Sequence, residues 1–502
     1  YYGHLAAERV MSIPGSASPL FFQTAAAATP SGGANKSVRF NKGDSPSLSR
    51  SVSSSSNRRT WTFSCWLKKT QLYGTGGYYQ SIFASGNTGA LQFDSIDQLR
   101  VYDGQSGGAT IEADNIRMRD VSAWYHIVVK YDTTQATASD RVFIYINGVD
   151  ATKKSATFPA QNYESAFNLN QTHYVGRDAN GNHLAGYLTD IYFIDGSALD
   201  ATSFGEYDSN GVWQAKNVSG LTFGTNGFHV FDFANESGIG NDSSGNDNDF
   251  SVNNISSTAG VGNDVLFDVP VNGTQSDNGA GGELSSNYAT LNPLAKGTSL
   301  TMTNGSLALD QGTAGWDSAY STIFLPSGKW YAEFTIRGRD STNSYGILVG
   351  LAGVNTYVYN SEISSGDTYA VQNMGTMVKI NHNGGSTNIE NIGHYSVGDV
   401  LQLAYDADNG KLWFGRNNTW INSGNPSSGT NPTQSSISGT YCFAVALLHT
   451  GDKIDCNFGQ RSYAYSAPTN FKTVCTSNLP TPTIADGSDY FDTKLWTGNG
   501  ST

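Results

Sequence analysis

A short polar run over residues 241–249 has oxygen-bearing side chains that could hold a metal ion. It reads Asn-Asp-Ser-Ser-Gly-Asn-Asp-Asn-Asp, so the carboxylates of Asp242, Asp247 and Asp249 are closely spaced around a glycine turn. Carboxylate and carbonyl oxygens suit a hard cation, and these three residues are candidate ligands for an optional Ca²⁺ ion. The spacing does not match an EF-hand loop, however, and a solvated loop of side-chain-to-backbone turns explains the same residues.

Two groups of tyrosines lie in segments that are expected to be loops. One contains Tyr73, Tyr78 and Tyr79, and the other contains Tyr357 and Tyr359. Exposed aromatic rings on loops can stack against the faces of sugars, which makes these five residues candidates for a glycan-binding site. Aromatic side chains are also enriched at protein interfaces, so the same tyrosines could instead cap the edge of a sandwich or fill a contact between subunits.

No catalytic motif accompanies these residues. Retaining glycoside hydrolysis needs two carboxylates about 5–5.5 Å apart. Hydrolases with the fold that the first block resembles carry them in a Glu-x-Asp-x-x-Glu run. The nearest fragment here is Glu112-Ala113-Asp114, and no acidic residue follows it at the position of the last Glu. The sequence also lacks a Gly-x-Ser-x-Gly elbow, a P-loop and an HExxH motif. His126 lies within an apolar strand and is expected to be a core or surface histidine. We therefore expect no catalytic residues and no required cofactor.

Charge and apolar content restrict the partners of the chain. Its 502 residues include 29 Lys and Arg against 42 Asp and Glu, a net charge of −13. An acidic protein is poorly suited to nucleic acid, because neutralising phosphates needs clustered Lys and Arg. No run of about 18 apolar residues is present, so no membrane span is expected. Residues 1–10 lack the apolar segment of a secretory signal.

The chain has only four cysteines, Cys65, Cys442, Cys456 and Cys475, and no CxxC pair that would indicate a zinc knuckle or a redox site. Cys442 and Cys456 flank a predicted hairpin turn, but folding this hairpin symmetrically does not bring them opposite each other. The spacing therefore favours buried thiols over a disulfide.

Alternating apolar residues indicate strands along most of the chain. In the segment 61–67, Trp61, Phe63, Cys65 and Leu67 fall on one face. The pair Asn147-Gly148 after an apolar run is typical of a type I′ hairpin turn. Helical periodicity is nearly absent, so the pattern predicts an all-β fold of antiparallel sandwiches.

Polar stretches divide the strands into two blocks, and residues 1–36 lack periodicity. An arm without its own hydrophobic core becomes ordered only when it packs against another surface, so we expect it to lie on a neighbouring subunit. The predicted organisation is an extended N-terminal arm over 1–36, a first sandwich with an Asn/Asp-rich tail over 37–270, a linker over 271–298, a second sandwich over 299–478, and a tether or the start of a further module over 479–502.

Three segments of the first block resemble laminin-G or concanavalin-A-like jelly rolls. Residues 61–68, Trp-Thr-Phe-Ser-Cys-Trp-Leu-Lys, are similar to the early core strand of that family. Residues 124–149 resemble its central strand pair, with Trp-Tyr-His-Ile-Val-Val followed by Tyr-Ile-Asn-Gly, and residues 184–193 resemble its closing strand. The resemblance covers about residues 37–210 and implies a jelly roll. Modules of this type often bind calcium, which adds to the expectation for the 241–249 run.

The second block resembles a SPRY-type sandwich. Residues 328–334, Gly-Lys-Trp-Tyr-Ala-Glu-Phe, look like its opening strand, and residues 398–414 look like its Gly-Asp-Val core pair. Residues 457–460, Asn-Phe-Gly-Gln, look like its closing strand. The resemblance covers about residues 300–475. It predicts two antiparallel β-sandwich (jelly-roll) domains in series.

This order of domains, with the segments 11–19 and 479–484, resembles large virion proteins of marine tailed phages, including tail fibres. The resemblance implies a virion or extracellular location and release by cell lysis. It also implies partners that are further copies of the chain, other virion proteins and host surface glycans. We therefore expect a non-catalytic appendage protein or adhesin that scaffolds the particle.

Two alternatives to an adhesin stay open at this point. A purely architectural capsid or filament subunit would use its tyrosine loops as contacts between copies. A polysaccharide-degrading enzyme could be built on a concanavalin-A-like fold, although the sequence lacks the paired carboxylates that such an enzyme needs.

Overall fold

The computed structural model describes residues 35–72, 79–114, 116–153, 156–209, 211–230, 238–340, 345–354, 359–363, 367–374, 377–382 and 384–481. These residues contain strands and short 3₁₀ helices and no α-helix, which confirms the predicted all-β class. The 3₁₀ helices are Lys42–Asp44, Ala138–Asp140, Ala201–Ser203, Ile421–Ser423 and Thr476–Asn478. No helix in the described part of the chain is long and apolar enough to cross a membrane.

The strands of the first sandwich fall before residue 267. They are β1 (Ser37–Phe40), β2 (Ser47–Ser51), β3 (Thr60–Lys69), β4 (Gln80–Ser85), β5 (Gly89–Phe93), β6 (Leu99–Asp103), β7 (Thr110–Glu112), β8 (Trp124–Asp132), β9 (Val142–Ile146), β10 (Val149–Asp150), β11 (Thr172–Val175), β12 (Gly186–Asp195), β13 (Gly205–Tyr207), β14 (Trp213–Ala215), β15 (Phe228–Val230), β16 (Ser251–Asn253) and β17 (Val265–Leu266).

Two antiparallel sheets build this sandwich. One has the order β10-β9-β8-β3-β12-β1-β17, with β15 also paired to β12, and the other has the order β16-β2-β11-β4-β5-β6-β7. Aromatic rings fill the space between the sheets: Phe63 of β3 stacks on Phe83 of β4 at 4.9 Å between centroids. The hairpin β9–β10 turns at Asn147 and Gly148, whose φ angles of 49° and 79° are those that a type I′ turn needs.

The strands of the second sandwich begin within the segment that the sequence assigned to a linker. They are β18 (Leu291–Lys296), β19 (Leu300–Thr303), β20 (Ala308–Gln311), β21 (Asp317–Ser321), β22 (Lys329–Gly338), β23 (Ile347–Gly353), β24 (Thr368–Met374), β25 (Met377–His382), β26 (Gly385–Asn391), β27 (Val400–Asp406), β28 (Lys411–Arg416), β29 (Thr419–Trp420), β30 (Tyr441–Leu447) and β31 (Lys453–Asn457). Their sheets have the orders β18-β21-β30-β23-β24-β25-β26 and β19-β20-β31-β22-β27-β28-β29.

The predicted linker over 271–298 is not a free spacer, because much of it packs on the second sandwich. β18 pairs with β21, and Tyr288 forms a bridge with Cys475. The carboxylate of Asp277 accepts hydrogen bonds of 2.8 Å from both the backbone N–H and the hydroxyl of Thr473. Polar composition suggested a linker, but Asn, Asp and Ser here bond to the backbone of a neighbouring element instead of to water.

The two sandwiches touch through a buried interface. Trp66, Trp124 and Tyr187 of the first sandwich belong to the same apolar cluster as the core of the second. The Tyr187 hydroxyl donates to the carbonyl of Gly305 at 2.7 Å. Arg39, 1% exposed, pairs with Asp264 and donates to the carbonyl of Asn304 at 3.1 Å. The interface therefore combines apolar packing with directed polar contacts.

Candidate functional site

The outer face of the β16-β2-β11-β4-β5-β6-β7 sheet carries a band of tyrosines. In β6 and β11 the burial alternates along the strand, so Tyr102 and Tyr174 point away from the core. The register places Tyr174 beside Ala84, Ala84 beside Ala90, and Ala90 beside Tyr102. The two rings therefore flank a stretch of the face whose own side chains are small.

Arginines stack on these tyrosines. The guanidinium carbon of Arg100 lies 4.2 Å from the ring centroid of Tyr79 and 5.7 Å from that of Tyr102. The guanidinium carbon of Arg177 lies 4.9 Å from the ring centroid of Tyr174. We call these five residues, Tyr79, Arg100, Tyr102, Tyr174 and Arg177, the tyrosine–arginine face.

The electrostatics of this face differ from those of the whole chain. Within the described ranges, neither Arg100 nor Arg177 forms an ion pair with a carboxylate; the neighbouring Glu112 pairs with Lys153 instead. Some of their N–H donors are used inside the protein. The side-chain oxygen of Gln92 accepts from Nε and Nη2 of Arg100 at 3.1 and 2.8 Å, and Nε of Arg177 donates to the carbonyl of Asp178 at 2.9 Å. The face can therefore offer apolar ring surface, two positive charges and the remaining guanidinium donors to one ligand, on a protein whose net charge is −13.

The structure separates the tyrosines that the sequence grouped. Tyr79 is 40% exposed and joins the tyrosine–arginine face. Tyr359 is 41% exposed and lies on the second sandwich, where its ring meets Tyr320 edge-on at 6.3 Å. Tyr73, Tyr78 and Tyr357 lie outside the described residues. The structure thus places Tyr79 in the tyrosine–arginine face and Tyr359 in the other sandwich.

Sequence reasoning missed four members of the face: Arg100, Tyr102, Tyr174 and Arg177. The search had looked for aromatic residues in loops, whereas Tyr102 and Tyr174 are in strands. The alternation in Leu-Arg-Val-Tyr-Asp of β6 was a usable signal, because it places Arg100 and Tyr102 on the same outward face. Nothing in the sequence indicated that β11 and β6 belong to one sheet.

The Asp-rich run forms a loop held by its own hydrogen bonds. The carboxylate of Asp242 accepts from the backbone N–H groups of His229, Ser244 and Asn248 at 2.8, 2.9 and 2.9 Å, and from the Ser244 hydroxyl at 2.7 Å. Asp249 accepts from the backbone N–H of Asp242 at 2.8 Å. Asp247 has a positive φ of 55°. Among the described residues no group of three His, Cys, Asp or Glu side chains has the geometry of a metal site. Calcium binding here stays a prediction.

Ser64 and His126 have the residue types of a nucleophile and a base, but the imidazole donates its proton to the hydroxyl instead of accepting the proton of the hydroxyl. Trp213 donates its indole N–H to Nδ1 of His126 at 3.0 Å, so Nδ1 is the acceptor. Nε2 therefore carries the proton and donates to the Ser64 hydroxyl at 2.9 Å. Both residues are buried, and burial lowers the pKa of His126 to about 3. The imidazole is thus neutral at pH 7, and it bonds the core together as the sequence suggested.

The buried carboxylate of Glu333 in the second sandwich also forms hydrogen bonds with neighbouring residues of the chain. Glu333 accepts from the backbone N–H groups of Ala464 and Tyr465 at 2.7 and 2.8 Å and from the hydroxyl of Tyr331 at 2.9 Å. Burial raises the pKa of Glu333. All four cysteines are buried and free, as the sequence favoured.

Part of the first sandwich is similar to a known protein family. Residues 41–203 match the concanavalin A-like lectin/glucanases superfamily (Laminin_G_3). This confirms the predicted concanavalin-A-like domain over that range. The match spans the Ser64–His126 pair and the whole of the tyrosine–arginine face. No curated protein matches the sequence of the chain.

Several solved structures similar to the chain are SPRY domains. The SPRY domain of human HERC1 is 16% identical, with a TM-score of 0.28, covering 35% of this chain and 99% of that one. The TRIM65 PSpry domain is 12% identical, with a TM-score of 0.27, covering 34% and 89%. A further human SPRY domain is 13% identical, with a TM-score of 0.24, covering 32% and 95%.

Proposed function

We propose that this chain is a non-catalytic virion appendage or surface protein, such as a tail fibre, that binds host surface glycans through the tyrosine–arginine face. The observation that carries the binding role is the contact of the Arg100 guanidinium with the rings of both Tyr79 and Tyr102 on an outward sheet face. The location on a virion rests on the resemblance of the domain order to phage proteins.

The chemistry of the face favours acidic glycans. Aromatic rings offer apolar area to the C–H face of a sugar ring. Guanidinium groups form forked hydrogen bonds with carboxylate and related anions, and these charge-assisted bonds are stronger than those between neutral groups. Arg100 and Arg177 stand at opposite ends of the Tyr102–Ala90–Ala84–Tyr174 row. Ala84 and Ala90 in the middle of the row are buried, so a glycan laid across it would contact the ring and the cation at each end.

A glycan array with the intact protein tests this function. We expect binding to sugars that carry carboxylate or sulfate groups, and loss of that binding in Tyr102→Ala and Tyr174→Ala. The matched control is Tyr345→Ala, because Tyr345 is 38% exposed but lies on the second sandwich. Equal binding by all variants would refute the face as the site. If the protein degrades a polysaccharide, and substitution of a single acidic residue abolishes this activity, the chain is an enzyme and the proposal is wrong.

An architectural subunit is the second candidate, and the buried interface between the sandwiches favours it. A chain whose two domains are fixed by contacts such as Tyr187 to Gly305 transmits load without bending at a linker. Imaging of the assembled particle separates the two functions. A solvent-exposed tyrosine–arginine face supports the adhesin, whereas a face covered by neighbouring copies supports the architectural role and removes the glycan site.

A further inference from the structure

A lysine, an asparagine and an aspartate meet at the contact between the two sandwiches. Nζ of Lys68, in β3, lies 2.8 Å from Oδ2 of Asp268 and 2.8 Å from Oδ1 of Asn287. It also donates to the carbonyl of Tyr288 at 2.8 Å. The side chains of Lys68 and Asp268 are both 0% exposed. An amine and a carboxamide are thus held together, with a carboxylate in contact with the amine.

Aromatic residues enclose Lys68 and Asp268 and keep water from these two side chains. The ring centroid of Tyr187 is 5.9 Å from Nζ of Lys68. Trp124 donates its indole N–H to Oδ1 of Asp268 at 3.1 Å, and the backbone N–H of Tyr288 donates to the same oxygen at 3.2 Å. In such surroundings the charged forms of both groups are penalised. Burial lowers the pKa of Lys68 and raises the pKa of Asp268, so both shifts favour transfer of the proton from the amine to the carboxylate.

The carboxamide of Asn287 is oriented from both ends. Its Nδ2 donates to the carbonyl of Ser122 at 2.9 Å, while its Oδ1 accepts from Lys68. Because a C=O bond is about 1.2 Å long, Cγ of Asn287 is at most about 4 Å from Nζ. The reaction requires the Asn287 side chain to rotate so that Cγ, in place of Oδ1, faces Nζ at the roughly 3–3.5 Å from which reactions between held groups proceed.

We propose that Lys68 and Asn287 join in a self-catalysed amide cross-link between β3 of the first sandwich and the segment that leads into the second. This proposal does not depend on the proposed function, because it concerns only groups inside the chain.

The reaction balances without any further reagent. Asp268 takes a proton from the Lys68 ammonium, and the neutral Nζ attacks Cγ of Asn287 to form a tetrahedral intermediate. Asp268 then returns the proton to Nδ2, the Cγ–Nδ2 bond breaks, and ammonia leaves. One of the two protons on Nζ passes to the Asp268 carboxylate, which Nζ contacts at 2.8 Å, and leaves with the ammonia as ammonium, while the other stays on the planar amide that forms between Nζ and Cγ. The chain loses one ammonia, about 17 Da, and no electrons are transferred.

The neighbouring lysine provides an internal control. Lys69 is as deeply buried as Lys68 and pairs with Asp97 at 2.8 Å, over the ring of Phe93. Among the described residues no carboxamide bonds to its Nζ. It therefore has the burial and the carboxylate but lacks the reactant, and it should stay a free amine.

Mass spectrometry of the full chain, after incubation in its folded state, tests the cross-link. We expect the denatured protein to be about 17 Da lighter than its sequence, and proteolysis to release one branched peptide that joins Lys68 to Asn287. Tandem spectra should show Lys69 unmodified in that peptide. The unmodified mass, or a gain of about 1 Da from simple deamidation of Asn287, would overturn the proposal.

Variants separate the cross-link from other losses of ammonia. Asn287→Ala should have the full mass of its sequence; this partly exposed side chain can be shortened with little risk to the fold. Lys68→Met should also have the full mass of its sequence. A cyclic imide formed at an asparagine does not need Lys68, so the loss of mass that it causes would remain in this variant. Should Lys68→Met fail to fold, the branched peptide of the parent chain decides alone. A deficit that remains in Asn287→Ala refutes the assignment.

Discussion

The hydroxyl of Tyr187 donates a 2.7 Å hydrogen bond to the carbonyl of Gly305, a residue 118 positions later in the other sandwich. The ring is fully buried, and burial raises the pKa of the phenol far above its ordinary value. The hydroxyl therefore keeps its proton at neutral pH and acts as a donor there.

Removing this donor should weaken the whole molecule. Tyr187→Phe leaves the Gly305 carbonyl without its partner in a buried place, which costs about 1–3 kcal/mol. We expect the free energy of unfolding, from urea titration, to fall by this amount with one transition retained. Tyr102→Phe is the control, since Tyr102 is on an outward face. Equal stability of the two variants would contradict a role for the Tyr187 contact.

The Lys69–Asp97 pair should show how burial changes the contribution of an ion pair. Both of its side chains are at most 1% exposed, whereas Arg119, which bonds the other oxygen of Asp97 at 3.1 Å, is 43% exposed. Lys69→Met leaves a buried carboxylate short of a partner and should cost about 3–5 kcal/mol. Arg119→Met should cost about 0–1 kcal/mol. Thermal or urea unfolding of both variants measures the difference, and similar losses would show that Asp97 does not depend on Lys69.

The buried imidazole of His126 predicts a loss of stability in acid. Its pKa is lowered by burial from 6.5 to about 3, so below pH 6.5 the unfolded chain binds a proton that the folded chain does not. The contribution of His126 is therefore complete above pH 6.5 and is lost as the pH falls toward 3. Urea midpoints measured from pH 7 to pH 4 should fall more steeply for the parent chain than for His126→Phe. Parallel curves would mean that His126 is not kept neutral by the fold.

Arg100 should determine selectivity on the tyrosine–arginine face. Arg100→Gln keeps a polar side chain but removes the charge, so affinity for an acidic glycan should fall about tenfold, or 1.4 kcal/mol, while that for a neutral sugar changes little. Raising the salt concentration should weaken binding to the parent chain more than to the variant. Calorimetry at two salt concentrations measures both effects. A uniform loss for charged and neutral sugars would assign Arg100 a role in holding Tyr79 and Tyr102 in place.

The Asp242 loop should be tested with and without calcium. Because its carboxylate accepts four protein hydrogen bonds, Asp242→Ala should lower stability by about 1–3 kcal/mol in a chelator. If a Ca²⁺ ion binds as the sequence predicts, added calcium raises the melting temperature of the parent chain and not of Asp247→Asn. A melting temperature that is unchanged by calcium would remove the metal proposal and leave the loop as a hydrogen-bonded turn.

Local patterns sufficed for the elements of the fold. The alternation of Trp61, Phe63, Cys65 and Leu67 and the turn at Asn147 depend on residues within a few positions of one another, and the structure agrees with both. The concanavalin-A-like resemblance likewise rested on continuous strands. These features are encoded by short-range sterics and by which face of a strand is apolar, so a sequence displays them directly.

The features that depend on long-range pairing were missed. Lys68 and Asp268 are 200 residues apart, and neither stands out in its own segment. Tyr102 and Tyr174 come together only because β6 and β11 enter one sheet through β4 and β5. Residues 271–298 were interpreted as a linker for the same reason. A segment whose polar side chains form hydrogen bonds with a distant part of the backbone has the same composition as a segment whose side chains form hydrogen bonds with water.

The contact between the sandwiches has a consequence for how such a chain can change through descent. Arg39 and Tyr187 on one side donate to the carbonyls of Asn304 and Gly305 on the other, which are encoded far downstream. A recombination event that exchanged only one sandwich for that of a relative would leave buried donors facing a surface not shaped for them. We therefore expect the two halves to be inherited as one unit, with changes at these contacts on one side matched by changes on the other.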